Sequence, residues 1–196
     1  MRWLFLLLLI PNLAYGAVGE IGKVKGSGAI ERGNDSIPAV DGVGIKMQDT
    51  AVTASGKIQI DFLDDTRVDI TEHSRLLIDE FVYDPANDVG SLSIKATLGT
   101  VRYASGQIAK KYQQNVKIRT PSATIAVRGT DFIMVVDELG GSMITLLPSC
   151  DEDMVCYTGE IEVETDAGFV ILNQAFQATQ TYHNMKPPGK PYVIGL

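Results

Sequence analysis

The side chains able to do chemistry are few and scattered. Two histidines, His73 and His183, stand far apart and in no repeated ligand spacing. A nucleophilic triad needs nucleophile, base and orienting group in one place, and the sequence leaves open whether Ser74 or Ser122 meets a histidine in space. There is no Gly-x-Ser-x-Gly elbow, no His-Glu-x-x-His and no Gly-x-x-x-x-Gly-Lys-Ser/Thr phosphate loop. Asp64-Asp65 and Asp151-Glu152-Asp153 offer the hard oxygens that Ca²⁺ takes, but lack the ligand alternation of a calcium loop. They read as solvated turns. Cys150 and Cys156 have five residues between them, against two to four in most zinc sites, and no histidine is near in sequence. No catalytic residue, metal or cofactor is expected.

The cysteines read more simply as a disulfide. An even count in an exported chain favours Cys150–Cys156 pairing. The bridge would close a small loop and add at most about 2–3 kcal/mol, since short loops gain least. Export is read from the N-terminus. Arg2 supplies a positive charge, Trp3 to Ile10 is an unbroken apolar run, and Ala14-Tyr15-Gly16 has the small residues of a signal-peptidase site. The run is far short of the roughly 20 residues that span a bilayer as a helix. Residues 1–16 are expected to be a signal peptide, leaving a periplasmic or secreted chain with no stable membrane span. The formal net charge of -7 argues against a sequence-independent grip on nucleic acid, which requires cations to neutralise phosphates. It argues equally against polybasic docking on an anionic membrane.

The elements that would position these residues are strands. Ile58, Ile60 and Phe62 fall on one face of Lys57-Ile-Gln-Ile-Asp-Phe62, and Val68 and Ile70 repeat the pattern. Leu92 to Ala96, Val116 to Thr120 and Ile161 to Thr165 alternate in the same way, as half-buried sheet requires. Turn clusters recur, among them Ala54-Ser55-Gly56, Asp64-Asp65-Thr66, Gly99-Thr100 and Gly140-Gly141. Gln107 to Gln114 suits one helical turn or a loop. The tail from Lys186 to Pro191 suits neither helix nor strand and reads as an extended arm.

The densest stretch runs from Asn115 to Phe132. Val116 and Ile118 are core positions, and Thr120-Pro121 ends that strand because Pro cannot donate a ladder hydrogen bond. A second strand begins at Thr124, and Arg128-Gly129-Thr130 interrupts it before Phe132, Met134 and Val136 resume the alternation. Gly129 permits positive φ. Arg128 has five donors. It is expected to turn inward or along a corner as a structural clamp, the alternative being a site for an anionic ligand or partner group.

Val127-Arg128-Gly129-Thr130-Asp131-Phe132, with Thr120-Pro121-Ser122-Ala123-Thr124 before it, resembles the end of the FecR domain. Phe62-Leu63-Asp64-Asp65-Thr66 resembles that family's strand, Asp-Gly-Thr turn and returning strand, with Asp65 in place of the usual Gly, which suggests a slightly different turn. Phe81 to Pro85 and Leu98 to Gly106 also match signal-peptide-bearing members. The resemblance runs from about Gly22 to about Val136. It implies an all-β fold, an antiparallel two-sheet β-solenoid or sandwich, over residues 17–136. Residues 137–196 would add a β-hairpin extension and a Pro-rich tail on the same domain. The best known members are periplasmic parts of inner-membrane sigma-factor regulators. No anti-sigma segment, internal membrane helix or receptor-plug domain is recognised here, so the resemblance carries over a periplasmic interaction module without catalytic residues. Asp64, Asp65, Thr66, Thr120, Pro121, Arg128, Gly129, Thr130 and Phe132 are then structural motif residues. The function expected is an exported, non-enzymatic interaction or scaffold module whose partner is another envelope protein. The alternative is a secreted sensor that modulates a membrane signalling or transport partner.

Overall fold

A computed structural model describes residues 16–150 and 154–195. The expected signal peptide, but for Gly16, and the Asp151-Glu152-Asp153 run lie outside the described residues. Period-two alternation does build strands. β1 (Gly19–Arg32) turns at Gly33-Asn34 into β2 (Asp35–Pro38), and β3 (Gly44–Ile45) leads into β4 (Thr50–Phe62). The Asp64-Asp65-Thr66 corner returns the chain as β5 (Arg67–Ile70), followed by β6 (Arg75–Asp84) and β7 (Val89–Ala104). A five-residue helix, α1 (Gln107–Lys111), precedes β8 (Val116–Arg119), β9 (Thr124–Arg128) and β10 (Asp131–Val136). The remainder is β11 (Ser142–Leu147), β12 (Ser149–Cys150), β13 (Cys156–Tyr157), β14 (Glu160–Thr165), β15 (Gly168–Leu172), β16 (Gln177–Thr181) and β17 (Tyr192–Val193).

Fifteen strands form one sheet along the path β15-β14-β9-β8-β7-β10-β11-β16-β17, with β1 to β6 joined to it through β5–β7 and β6–β7. The pairings are antiparallel, except that β8 lies parallel to β7, Leu92 facing Val116 and Lys95 facing Arg119. That exception follows from the connection: parallel neighbours need a long crossover, commonly helical, and α1 lies on it. Two expected turns are absent. Ala54-Ser55-Gly56 sits inside β4 and Gly99-Thr100 inside β7. Both places are irregularities within long strands, which bend rather than break. Gly99 has φ +90, and a Cβ there would lie 2.1 Å from Ser74 Oγ. At this point β7 changes partner, from β6 up to Leu98 to β5 from Val101.

The bends fold the sheet over, so its two halves share a single core. Ile58, Ile60, Val68, Ile70 and Tyr103 come from one half, and Ile94, Ile118, Ile125, Val127 and Ile161 from the other. Fully burying each large side chain contributes about 1.5–3 kcal/mol. Phe62 and Phe81 stack at 5.5 Å between centroids. Residues after 137 belong to the same sheet, since β11 pairs with β10 and β14 with β9. Cys150 and Cys156 are disulfide-bonded across β12–β13, a small sheet apart from the main one. The tail runs back along β16, where Gly189 N donates to Gln180 O at 2.8 Å and β17 pairs with Gln177 and Ala178.

Candidate functional site

The corner after β4 is organised by a buried carboxylate. Asp64 accepts from Thr66 N at 3.1 Å, from Thr66 Oγ1 at 2.8 Å and from Ile108 N at 3.1 Å. Gly106 N donates to Thr66 Oγ1 at 3.2 Å, so this corner also holds the start of α1. Asp65 adopts φ +66, the left-handed conformation that the family's usual glycine takes without cost. Ser105 donates to Thr130 O at 2.6 Å, and Thr130 Oγ1 donates to Leu147 O. Gly129 has φ +65, and a Cβ there would meet Ala109 O and Lys110 Cα only at ordinary contact distance, so backbone conformation accounts for the glycine. Phe132 stacks on Tyr103 at 5.3 Å. The Tyr103 hydroxyl lies near Thr66, Ser105, Asp64 and Asp131, and burial pushes its pKa well above the usual phenol value. The two motifs are thus joined by the Tyr103–Phe132 stack and by Ser105 and Gly106, while the buried Tyr103 hydroxyl has no hydrogen-bond partner among the described residues. The motifs' other polar groups are spent on each other and on backbone, and Asp64 has the donors of a turn rather than of a metal ligand.

Thr120-Pro121 lies elsewhere. Ser142 Oγ donates to Thr120 Oγ1 at 2.8 Å, and Ser122 Oγ meets Ser142 Oγ at 2.9 Å and Thr181 Oγ1 at 2.8 Å. This buried hydroxyl chain ties the β8–β9 turn to β11 and β16. Ser74 Oγ is engaged with backbone of Thr100. Neither serine has a histidine partner among the described residues; His73 and His183 are exposed. Among those residues there is no group of three or more His, Cys, Asp or Glu placed to hold a metal. No helix among them is long and apolar enough to cross a membrane.

Of the two expected placements, inward or along a corner, Arg128 takes the second, at the end of β9 beside Gly129. Ile125 and Val127 are buried, so by strand parity Arg128 must face out. It pairs with Glu160 and, at 3.2 Å, with Glu162 on β14, its side chain 36% exposed. The guanidinium does tie carboxylates together, but on the surface. Glu164 continues the acidic row and stands in register with Phe169 on β15, as Glu162 does with Ile171. Phe169 is 61% exposed and Ile171 38%. β15 pairs with β14 alone, so it is an edge of the sheet. This face of β9, β14 and β15, acidic beside an exposed apolar edge, is a candidate surface for meeting another molecule. The sequence reading missed it because Gly168-Phe-Val-Ile-Leu172 is apolar throughout; the buried Leu172 sets the parity that turns Phe169 outward. It also missed an ion pair between the partly exposed Arg32 and the buried Asp49, whose partners carry no motif and lie 17 residues apart.

The comparisons with known proteins agree on the fold. The family model described as FecR protein matches residues 49–148, just over half of the sequence. No curated protein matches the chain. Two crystal structures of a candidate anti-sigma factor from Parabacteroides distasonis are similar in fold, with TM-scores of 0.50 and 0.51 and 15% identity. Each superposition covers 72% of this chain and 56% of the other, so the chain spans little more than half the length of that protein.

Proposed function

Because this chain belongs to the FecR protein family, we propose that it is a non-catalytic protein-binding module with a regulatory or signalling role, exported to the periplasm or cell envelope, where it meets another envelope protein. One observation carries the reading. The motif residues that mark the family are engaged in intramolecular contacts, Asp64 with Thr66 and Ile108, Phe132 with Tyr103, Arg128 with Glu160 and Glu162. They build the scaffold, and recognition is left to sheet faces and edges. Export rests on the short apolar run and on Ala14-Tyr15-Gly16. A cut after Gly16 would leave Ala17 as the new terminus, one residue before Val18, whose N–H donates to Ile45 O at 2.7 Å.

The test is site-specific photocrosslinking in living cells. A crosslinker at Ile171 on the outer edge and another at His73, exposed between β5 and β6, report on two locations. One discrete adduct with an envelope protein at either position supports a binding module. Adducts at neither position, together with a protein that fractionates with the cytosol and retains Met1, overturn both the function and the localisation.

A further inference from the structure

Sheet edges present unpaired N–H and C=O groups, and soluble proteins guard them with charge, proline, bulges or a covering segment. The tail covers β16 through Gly189 and β17. It reaches the start of β15, where Pro187 stands against Gly168, and among the described residues it makes no backbone hydrogen bond to the strand beyond. Among the described residues, no backbone group from Phe169 to Leu172 has a backbone partner outside β14. The strand has no charge, no proline and no register break, and it displays Phe169 and Ile171 to solvent.

Beside this edge lies negative charge that is not directly ion-paired, the cation on the same cleft, Arg119, being paired with Asp79. Arg128 is shared by Glu160 and Glu162, while Glu164 and Asp166 have no ion-pair partner among the described residues. Glu164 is directly across from Phe169. A strand added outside β15 would place its side chains about 5 Å from Phe169 and about 10 Å from the β14 backbone. An Arg or Lys there could lay its stem over the Phe169 ring, a cation–π arrangement, and bring its charge to Glu164.

We propose that β15 is a docking edge for an extended segment of a partner protein, paired by β-augmentation, with basic residues alternating with apolar ones. Main-chain hydrogen bonds would hold the segment, and the alternate side chains would select it. A second copy of this chain fits less well: β15 carries no basic residue, and both copies would bring the same negative charge. The inference deepens the reading of this chain as a binding module and rests on it.

The test uses the purified protein and two fluorescein-labelled peptides, alternating Val-Arg and alternating Val-Glu octamers. Anisotropy should show the Val-Arg peptide binding at least tenfold tighter, with affinity falling as salt rises. Hydrogen exchange should slow at residues 168–172 on binding. Phe169→Lys should weaken binding about tenfold, and Glu164→Gln several-fold with a flatter salt dependence. Circular dichroism melts confirm that both variants fold, and Glu164→Gln, on the surface of β14, serves where Phe169→Lys does not. Equal affinity for both peptides, or protection confined to other strands, overturns the proposal. So does self-association that protects residues 168–172 without peptide. Photocrosslinked adducts that form at His73 but not Ile171 would sink this edge while leaving the binding module standing.

Discussion

Two edges of the sheet differ. At β1 the unpaired stretch carries Lys23 and Lys25, with Lys57 directly opposite Lys25 on β4. Like charges facing each other across a ladder cost stability, yet lysines are a common guard against edge pairing. Asp41 closes part of this stretch, accepting from Val24 N at 2.7 Å. At β15 there is no guard, and Phe169 and Ile171 face water. The arginines follow the same division. Arg32 grips Asp49, a wholly buried residue, through Nε at 2.8 Å and Nη2 at 2.6 Å, and also donates to Gly44 O. Arg128 grips two partly exposed glutamates. Arg32 closes the fold around a buried carboxylate, although Arg75–Glu31 beside it is exposed, whereas Arg128 and its two glutamates lie where another molecule can reach.

The largest expected effect tests the closed end. Arg32→Ala would leave the buried Asp49 carboxylate with Lys46 N as its remaining donor, and breaking one side of a buried pair costs about 3–5 kcal/mol, here at the low end because Arg32 is partly exposed. Melting should fall by roughly 10 °C, given about 2–4 °C per kcal/mol at this size. Arg32→Ala with Asp49→Asn should recover part of the loss. A melt within 2 °C or so of the parent would erase the contrast between the two arginines.

Next comes the disulfide. Its loop is short, so Cys150→Ser with Cys156→Ser should cost at most about 2–3 kcal/mol. β12 and β13 form a sheet of their own, so the loss should appear as early hydrogen exchange near residues 149–157, with the core strands still protected. Uniform loss of protection would mean that this end is as tightly coupled to the fold as the other.

Much of this division could be read from the sequence, and the failures have physical causes. Alternation in Ile58-Ile60-Phe62 and Val68-Ile70 reported the inward face correctly, because each of these is buried. Glycine and serine misled at Ala54-Ser55-Gly56 and at Gly99-Thr100. Turns and bulges draw on the same residues, and only the pairing register separates them. Arg128 was recoverable: once Ile125 and Val127 face in, parity sends Arg128 out, and weighing its motif above its parity left the inward placement open. The Arg32–Asp49 pair and the Ser122–Ser142–Thr181 chain were not recoverable, since each joins a turn residue to strand residues elsewhere with no spacing rule.

Arg128→Ala sharpens the comparison from the open end. Exposed pairs contribute about 0–1 kcal/mol, so melting should fall by no more than about 2–4 °C. Arg128→Lys should recover part of it, because charge rather than a buried planar fork is at stake. A fall as large as that of Arg32→Ala would show that Arg128 is buried in solution and would return it to the role of core clamp.

The smallest effect is pH-dependent and belongs to the outer face of the same half. Asp79 receives Lys95 Nζ at 2.9 Å, Arg119 Nη1 at 3.1 Å and Ser93 Oγ at 3.2 Å. The Lys95 hydrogen bond, with the nearby cations, holds its pKa below the ordinary aspartate value. A depressed pKa means that the folded state favours the ionised form. The stability it contributes is complete above the unfolded-state pKa, about 3.9, and is lost as pH falls through the lower folded-state value. Since Lys95 and Arg119 are roughly 40% exposed, screening keeps the gain to about 0.5 kcal/mol. Asp79→Asn should therefore be slightly less stable than the parent at pH 7, and the difference should close below about pH 4. Asp69 provides the opposite sign on the other face, because burial raises its pKa. Its penalty is present at neutral pH and is relieved as pH falls, so Asp69→Asn should match or exceed the parent at pH 7 and lose that advantage in acid. Urea melts of both variants across pH 3 to 7 measure the two slopes. Parallel slopes would show that neither carboxylate interacts differently in the folded and unfolded states.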